Sequence, residues 1–252
     1  MRYALELAYN GNGFTGWQRQ AEGPGVQGTL ENALSLILRH PAEVTGCGRT
    51  DTGVHARYFV AHFDSSEPVP LNLPYRLNSM LPPGIAIFSC HPVPVDFHAR
   101  FSAISRSYGY YITHRKDPFA IGMKWYLPFQ PDVDRMNEAA KLMLTHEEYP
   151  CFCKGKPPHD NYKCTVTHAE WSATESGLVF RISANRFLRS MVRSTVGTLL
   201  QVGFGKMTVP GFAQLLKHGT RSDAGKSVAP QGLYLEAVEY PEITGWEPLK
   251  MD

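Results

Sequence analysis

Gly46-Cys47-Gly48-Arg49-Thr50-Asp51-Thr52-Gly53-Val54-His55-Ala56 sets three glycines, one cation and one carboxylate into a single short segment. Glycine adopts positive φ without steric cost and lets a backbone or ligand come close, so such a run reads as tight turns. The Asp stands two residues from an Arg, and a neighbouring positive charge favours the ionised carboxylate. An ionised, oriented carboxylate is what nucleophilic catalysis requires. The plainer alternative is a surface turn capped by an Asp–Arg pair.

Outward from this loop the chain alternates strands and helices. Arg57 to Asp64 (RYFVAHFD) and residues 2–9 carry the period-two pattern of strands, and residues 27–39 place Leu30, Ala33, Leu34, Ile37 and Leu38 on one helical stripe. The stretch 65–83 is rich in Pro and Ser and reads as largely irregular, with a short helix in NLPYRLNSML. Ile104 to Thr113 reads as a strand with Arg106, Tyr108, Tyr110 and Ile112 on one face. Met136, Ala139, Ala140 and Met143 predict a helix over 133–144, with Asp132 as N-cap. Strands are expected at 164–172, 178–183 and 232–240. Helices are expected at 186–201 and at 209–217, the second opened by Thr208 and Pro210. This order fits an α+β class, helices packed on a mixed, largely antiparallel sheet. The chain is long enough for two intimately packed halves, taken as 1–110 and 111–252.

Composition narrows the classes. With 43% hydrophobic and 19% charged residues the 252-residue chain has the make-up of a globular protein. The opening MRYALELAYN holds no apolar run long enough for a signal peptide or membrane span, and a cytoplasmic address is expected. Five irregularly spaced cysteines argue for a reducing compartment rather than a disulfide framework. Cys151, Cys153, His159, Cys164 and His168 cluster along the sequence, but a one-residue gap is unlike zinc spacing and suits two small residues on one strand face. No metal is expected. Net charge is only +2, yet no acidic residue lies between Glu175 and Asp223, where Arg181, Arg186, Arg189, Arg193, Lys206, Lys217 and Arg221 fall. The window between Asp96 and Asp117 is likewise acid-free and holds Arg100, Arg106, Arg115 and Lys116. Two such windows point to one positive face suited to a polyanion.

GRTDTGVHA resembles the signature of the TruA family of tRNA pseudouridine synthases. Further motifs follow in that family's order: YNGNGFTGWQRQ at 9–20, VQGTLENAL at 26–34, FHARFSAISRSYGYYI at 97–112, NRFLRSMVRSTVGTLLQVG at 185–203 and SVAPQGLYLEAVEYP at 227–241. The segment 145–165 departs from the family pattern. The resemblance implies a pseudouridine synthase fold, two similar halves about a central RNA-binding cleft. It implies catalytic roles for Asp51 as nucleophile, Tyr108 stacked on the target base and Arg193 as partner of Asp51. Arg49 is implied to hold the flipped nucleotide, and His55 to make a positioning hydrogen bond. Substrate is implied to be the tRNA anticodon arm at positions 38, 39 and 40, bound by a homodimer with no cofactor.

These roles make chemical sense. Moving uracil from N1 to C5 attachment is redox-neutral, so no redox group or metal is called for. The carboxylate can attack C1′ as a retaining glycosidase does, assist departure of the uracil, or attack C6. Tyr108 is the candidate for taking the C5 proton. Unstacking the target uridine costs a few kcal/mol, and Arg186, Arg189 and Arg193, spaced three and four apart, would line one helix face toward RNA. Trp17, in a Gly-rich loop, suits either stacking on a base or packing. Two rivals remain. Asp51-Thr52-Gly53 spells the aspartic-protease triplet, but there is no second copy to share a proton. A non-catalytic RNA-binding module explains the basic windows but not the carboxylate.

Overall fold

The computed structural model describes residues 1–157, 159, 161–243 and 246. In chain order the elements are β1 (Arg2–Tyr9), α1 (Val26–Leu38), β2 (Val44–Gly46), β3 (His55–Asp64), α2 (Leu73–Met80), β4 (Ile85–Val93) and β5 (Ser105–Thr113). They continue as β6 (Trp125–Tyr126), α3 (Val133–Lys141), β7 (Val166–Thr174), β8 (Gly177–Ala184), α4 (Met191–Gly203), α5 (Val209–His218) and β9 (Leu233–Glu239). The class is α+β, with a mostly antiparallel arrangement of strands. The chain forms two compact units, one of residues 1–106 together with 234 onward, the other of residues 107–233. Among the described residues no helix is long and apolar enough to cross a membrane.

In the first unit β1 is the central partner, antiparallel to β4 on one side and to β3 on the other. β2 pairs antiparallel with β3, and β9 joins the same strand in parallel, His55 opposite Tyr234. Alternation along β1 sends Tyr3, Leu5, Leu7 and Tyr9 into a core with Phe59, Ala61 and Phe63. The stripe predicted for α1 is the buried one: Leu30, Ala33, Leu34 and Ile37 are all in the core. The opposite sheet face is polar but also buried. There Glu6, fully enclosed, accepts hydrogen bonds from the hydroxyls of Tyr58 and Ser89. His62 lies on this face too, its Nδ1 accepting from the Ala99 amide at 3.1 Å, its ring edge-on to Phe97 and His98.

In the second unit β8 lies between β5 and β7, and β7–β8 is a tight antiparallel hairpin closed at Thr174–Gly177. β6 runs parallel to β5. α3 packs on β7, α4 and α5. The expected caps are present: the Asp132 side chain accepts from Arg135 N–H at 3.0 Å, and that of Thr208 from Gly211 N–H at 3.0 Å.

Three features differ from the sequence reading. β4 is an edge strand that the sequence pattern leaves unassigned; its alternation is clear only over Ile85–Phe88 before polar residues and Pro92 interrupt it. Cys151 and Cys153 are not on a strand: Pro150–Phe152 is one turn of 3₁₀ helix, pinned by the Tyr149 hydroxyl donating to the Met143 and His146 carbonyls. The helix expected over 186–201 starts at Met191, because Ser190 takes a left-handed φ of 59° and breaks the helical run.

The polar core of the first unit carries a pH dependence. Burial, and secondarily the charges of Arg2 and His98, push the His62 imidazole down to about 4, with Asp64 opposing the shift. An unfolded His titrates near ~6.5. Between these values the unfolded chain binds a proton that the folded one refuses, so stability is intact above ~6.5 and falls as pH drops toward 4. His62→Gln, whose amide oxygen can still accept from Ala99, is expected to flatten the acid limb of a denaturant-unfolding series by about one proton. An unaltered slope in that variant would assign the acid sensitivity elsewhere.

Candidate active site

β2 and β3 are joined by residues 47–54, and the Asp51 loop is this connection. Cys47 N–H donates to the Val60 carbonyl at 2.8 Å, continuing the β2–β3 ladder by one step before the chain leaves the sheet. The loop turns back at residues 51–54, where Val54 N–H donates to the Asp51 carbonyl at 3.1 Å. Gly53 sits at the third position of that turn with φ +75°, which a side chain would strain. Asp51 therefore opens a tight turn, with its side chain half-buried.

A second segment, residues 9–17, braces this loop. Trp17 N–H donates to the Thr50 carbonyl at 3.2 Å, and the hydroxyls of Tyr9 and Thr50 lie 2.9 Å apart. Gly11 N–H donates to Nδ1 of His55 at 3.0 Å. The space where a side chain on Gly16 would stand is occupied by the Thr50 carbonyl oxygen, so no larger residue fits without moving the loop. His55 is also stacked on Tyr234 from β9, centroids 4.5 Å apart. It is buried, and its ring holds the loop as expected. Arg106 adds a tie from below, its Nη2 donating to the Cys47 carbonyl at 3.3 Å.

Arg49 and Trp17 sit differently from the sequence reading. Arg49 is exposed, and among the described residues it makes no ion pair with Asp51. Two residues apart on a non-helical loop, with the Arg arm in solvent, the two have little to gain from pairing. Trp17 is 2% exposed and stacks on Phe59 at a centroid distance of 4.1 Å. Its ring belongs to the core, and no face is open to a base.

Tyr108, Arg186, Arg189 and Arg193 lie in the second unit. Tyr108 is half-buried on β5, and its ring meets that of Phe187 edge to face, centroids 5.1 Å apart at 87°. Arg193 is in the first turn of α4. Its Nε donates to the Val228 carbonyl at 2.8 Å, while Val228 N–H donates to the Arg193 carbonyl at 3.2 Å. Gly197, one turn on, lets the Lys226 carbonyl pass against the helix, which brings residues 226–228 alongside. The guanidinium is thus fixed in plane by the backbone it lies on.

Arg186 and Arg189 precede α4 and do not share a helix face with Arg193. Arg189 is exposed, its carbonyl accepting from Lys154 N–H at 2.9 Å, and Arg186 is half-buried. They stand on an irregular segment with Phe187, the ring that touches Tyr108. The five cysteines are free, and among the described residues no three His, Cys, Asp or Glu side chains gather as a metal site. The sequence reading missed Tyr9, Thr50 and Arg106 as supports of the loop. The glycines of 11–16 were the available signal, because they mark where backbone approaches backbone.

The family model described as tRNA pseudouridine synthase matches residues 139–241. Similarity to curated proteins extends over nearly the whole chain. A protein of Porphyromonas gingivalis is 45% identical over 245 residues, covering 95% of this chain and 97% of its own. One from Parabacteroides distasonis is 43% identical over 243 residues, 96% of each chain. One from Chlorobaculum tepidum is 40% identical over 241 residues, 94% of this chain and 96% of its own. All three carry the name tRNA pseudouridine synthase A. With identity of this order over nearly the whole chain, the chain belongs to the tRNA pseudouridine synthase A family.

Proposed function

We propose that this protein isomerises uridine to pseudouridine in the anticodon arm of tRNA, at positions 38, 39 and 40, with Asp51 as the catalytic nucleophile. The observation that carries the reading is the bracing of the Asp51 loop. Main-chain bonds at residues 50 and 51, and a glycine packed against them, fix the backbone from which the carboxylate projects. A turn serving only to connect β2 and β3 has no need of a second segment to hold it. The N1–C1′ bond breaks, C1′ is rejoined at C5, the C5 proton leaves and N1 regains one, so no electrons are exchanged. Attack of Asp51 on C1′, its assistance to departing uracil, and attack on C6 are the three routes open to such a carboxylate.

Tyr108 is the residue proposed to stack on the base and accept the C5 proton. Its edge-to-face contact with Phe187 fixes the ring plane, which suits a stacking surface. Arg193, held by its Nε to the Val228 carbonyl, is proposed as the cation partnering Asp51. Arg49, exposed at the rim of the loop, is proposed to hold the flipped nucleotide. Arg186 and Arg189 are proposed to meet phosphates of the RNA, as point charges on an irregular segment rather than as a helix face. We place the enzyme in the cytoplasm, working as a homodimer whose two chains touch one tRNA.

The basic segment is tested by salt. Replacing Arg186 and Arg189 together by Ala should weaken binding to all tRNAs alike and make the log–log salt slope shallower by roughly 0.7–0.9 for each phosphate no longer neutralised. An unchanged slope would remove both from the RNA interface. Tyr108→Phe keeps the ring and loses the hydroxyl; turnover should fall with little change in tRNA affinity. Turnover near that of the parent would leave Tyr108 a stacking surface only.

The carboxylate itself is tested by release of tritium from tRNA labelled at uracil C5 and lacking the modification. Asp51→Asn keeps shape and removes the charge. The variant is expected to fold, to bind tRNA at least as well as the parent, and to form no detectable pseudouridine. Activity within about tenfold of the parent, ~1.4 kcal/mol of transition-state stabilisation, would deny Asp51 the nucleophile's role.

A further inference from the structure

We propose that Tyr9 is a positioning residue for Asp51, acting through the hydroxyl of Thr50. The inference rests on the reading of Asp51 as the catalytic carboxylate. Tyr9 is the last residue of β1 and 4% exposed. Its ring packs against the stacked pair of Phe59 and Trp17, at centroid distances of 5.5 and 6.1 Å. A ring so enclosed has no freedom to follow the loop, so its hydroxyl is a fixed point 2.9 Å from Oγ1 of Thr50.

Thr50 transmits that fixed point to its neighbour. Threonine is branched at Cβ, so holding Oγ1 also holds χ1 and, through it, the orientation of the residue's backbone. The same residue's carbonyl is tied to Trp17 N–H, and that of Asp51 to Val54 N–H. A single main-chain bond at Thr50 would leave the 50–51 peptide free to rock about it. The hydroxyl pair supplies the second point that stops the rocking. The starting point of the Asp51 side chain is then set before its own torsions are. The Trp17 bond and the β2–β3 ladder remain when the hydroxyl pair is removed, so the loop stays folded while the carboxylate loses its place. A misplacement of about 1 Å can cost on the order of 10²-fold in rate, so the predicted consequence is a loss of rate without a loss of fold or of tRNA affinity.

The test is a double-variant cycle on the full-length protein. Tyr9→Phe, Thr50→Val, both together, and Thr50→Ser are compared in single-turnover tritium release, tRNA filter binding and thermal unfolding, with Asp51→Asn alongside. Tyr9→Phe and Thr50→Val should each slow the single-turnover rate about tenfold, with affinity within about twofold and thermal midpoints within a few degrees of the parent. Because Tyr9 also touches Trp17 and Phe59, the pair variant is the decisive one: it should be no slower than the slower single. Thr50→Ser, which keeps the hydroxyl, should recover the parental rate. A parental rate for Tyr9→Phe beside an inactive Asp51→Asn would overturn the positioning role and leave that of Asp51 standing. Additive losses in the pair, or losses matched by tRNA affinity or thermal midpoint, would equally overturn it. An active Asp51→Asn would instead remove the reading on which the inference stands.

Discussion

The carbonyl oxygen of Thr50 occupies the place where a side chain on residue 16 would be, and only a glycine there lets the 9–17 segment lie against the loop of Asp51. Most of the order of the Asp51 loop follows from this one backbone-to-backbone approach. With Gly16 in place, Trp17 N–H reaches the Thr50 carbonyl, Tyr9 reaches the Thr50 hydroxyl and Gly11 N–H reaches His55. Peptide groups have no rotamers to change, so a loop braced by them is stiffer than one held by long side chains. The core does the rest: Tyr9 and Trp17 are anchored on Phe59 of β3, the strand that the loop enters.

In the second unit Arg193 is oriented by a related device. Gly197 admits the Lys226 carbonyl against α4, and the 226–228 segment that follows offers the Val228 carbonyl to Arg193 Nε. An arginine held only by carboxylates would exchange partners easily. One bonded through Nε to a main-chain oxygen keeps its plane, because that oxygen is fixed by the reciprocal bond from Val228 N–H to the Arg193 carbonyl. Ser194 and Ser227, hydroxyls 3.0 Å apart, and Thr198, accepting from Gly225 N–H at 2.9 Å, extend the same seam.

What the sequence revealed follows from which features are local. Caps at Asp132 and Thr208 and the apolar stripe of α1 involve residues a few positions apart, and each appears where its spacing placed it. The start of α4 is misplaced by spacing alone because NRFLRS has helical periodicity and no helix breaker. The left-handed Ser190 follows Arg189, whose carbonyl accepts from Lys154 N–H some thirty-five residues away, and nothing within 186–190 announces that bond. Trp17 is ambiguous in sequence for a similar reason: a tryptophan in a Gly-rich loop is exposed or buried according to a partner, Phe59, more than forty residues away. The return of β9 to β3 beside His55 is a pairing across most of the chain, beyond any windowed reading. The loop of Asp51 stands out in the sequence through its glycines and lone carboxylate, but its supports, contributed by residues 9–17 and 106, do not.

The division of labour within the loop follows from the kind of nucleophile proposed. A serine or lysine must lose a proton before it can attack, and a site that uses one has to supply a base or a shifted titration. A carboxylate is already an anion at neutral pH. What such a residue lacks is position, since a short side chain on a loop wanders and an unfavourable approach to polyphosphate RNA pushes it away. A loop built to solve that problem should invest in backbone restraint around the carboxylate. The bonds to Thr50, the turn closed on Asp51 and the buried His55 fit that expectation. Arg49, two residues before the carboxylate, looks in the sequence like its electrostatic partner, yet its arm lies in solvent. Its exposure suits the RNA contact proposed for it, while the backbone at Thr50 and Asp51 is held through main-chain bonds.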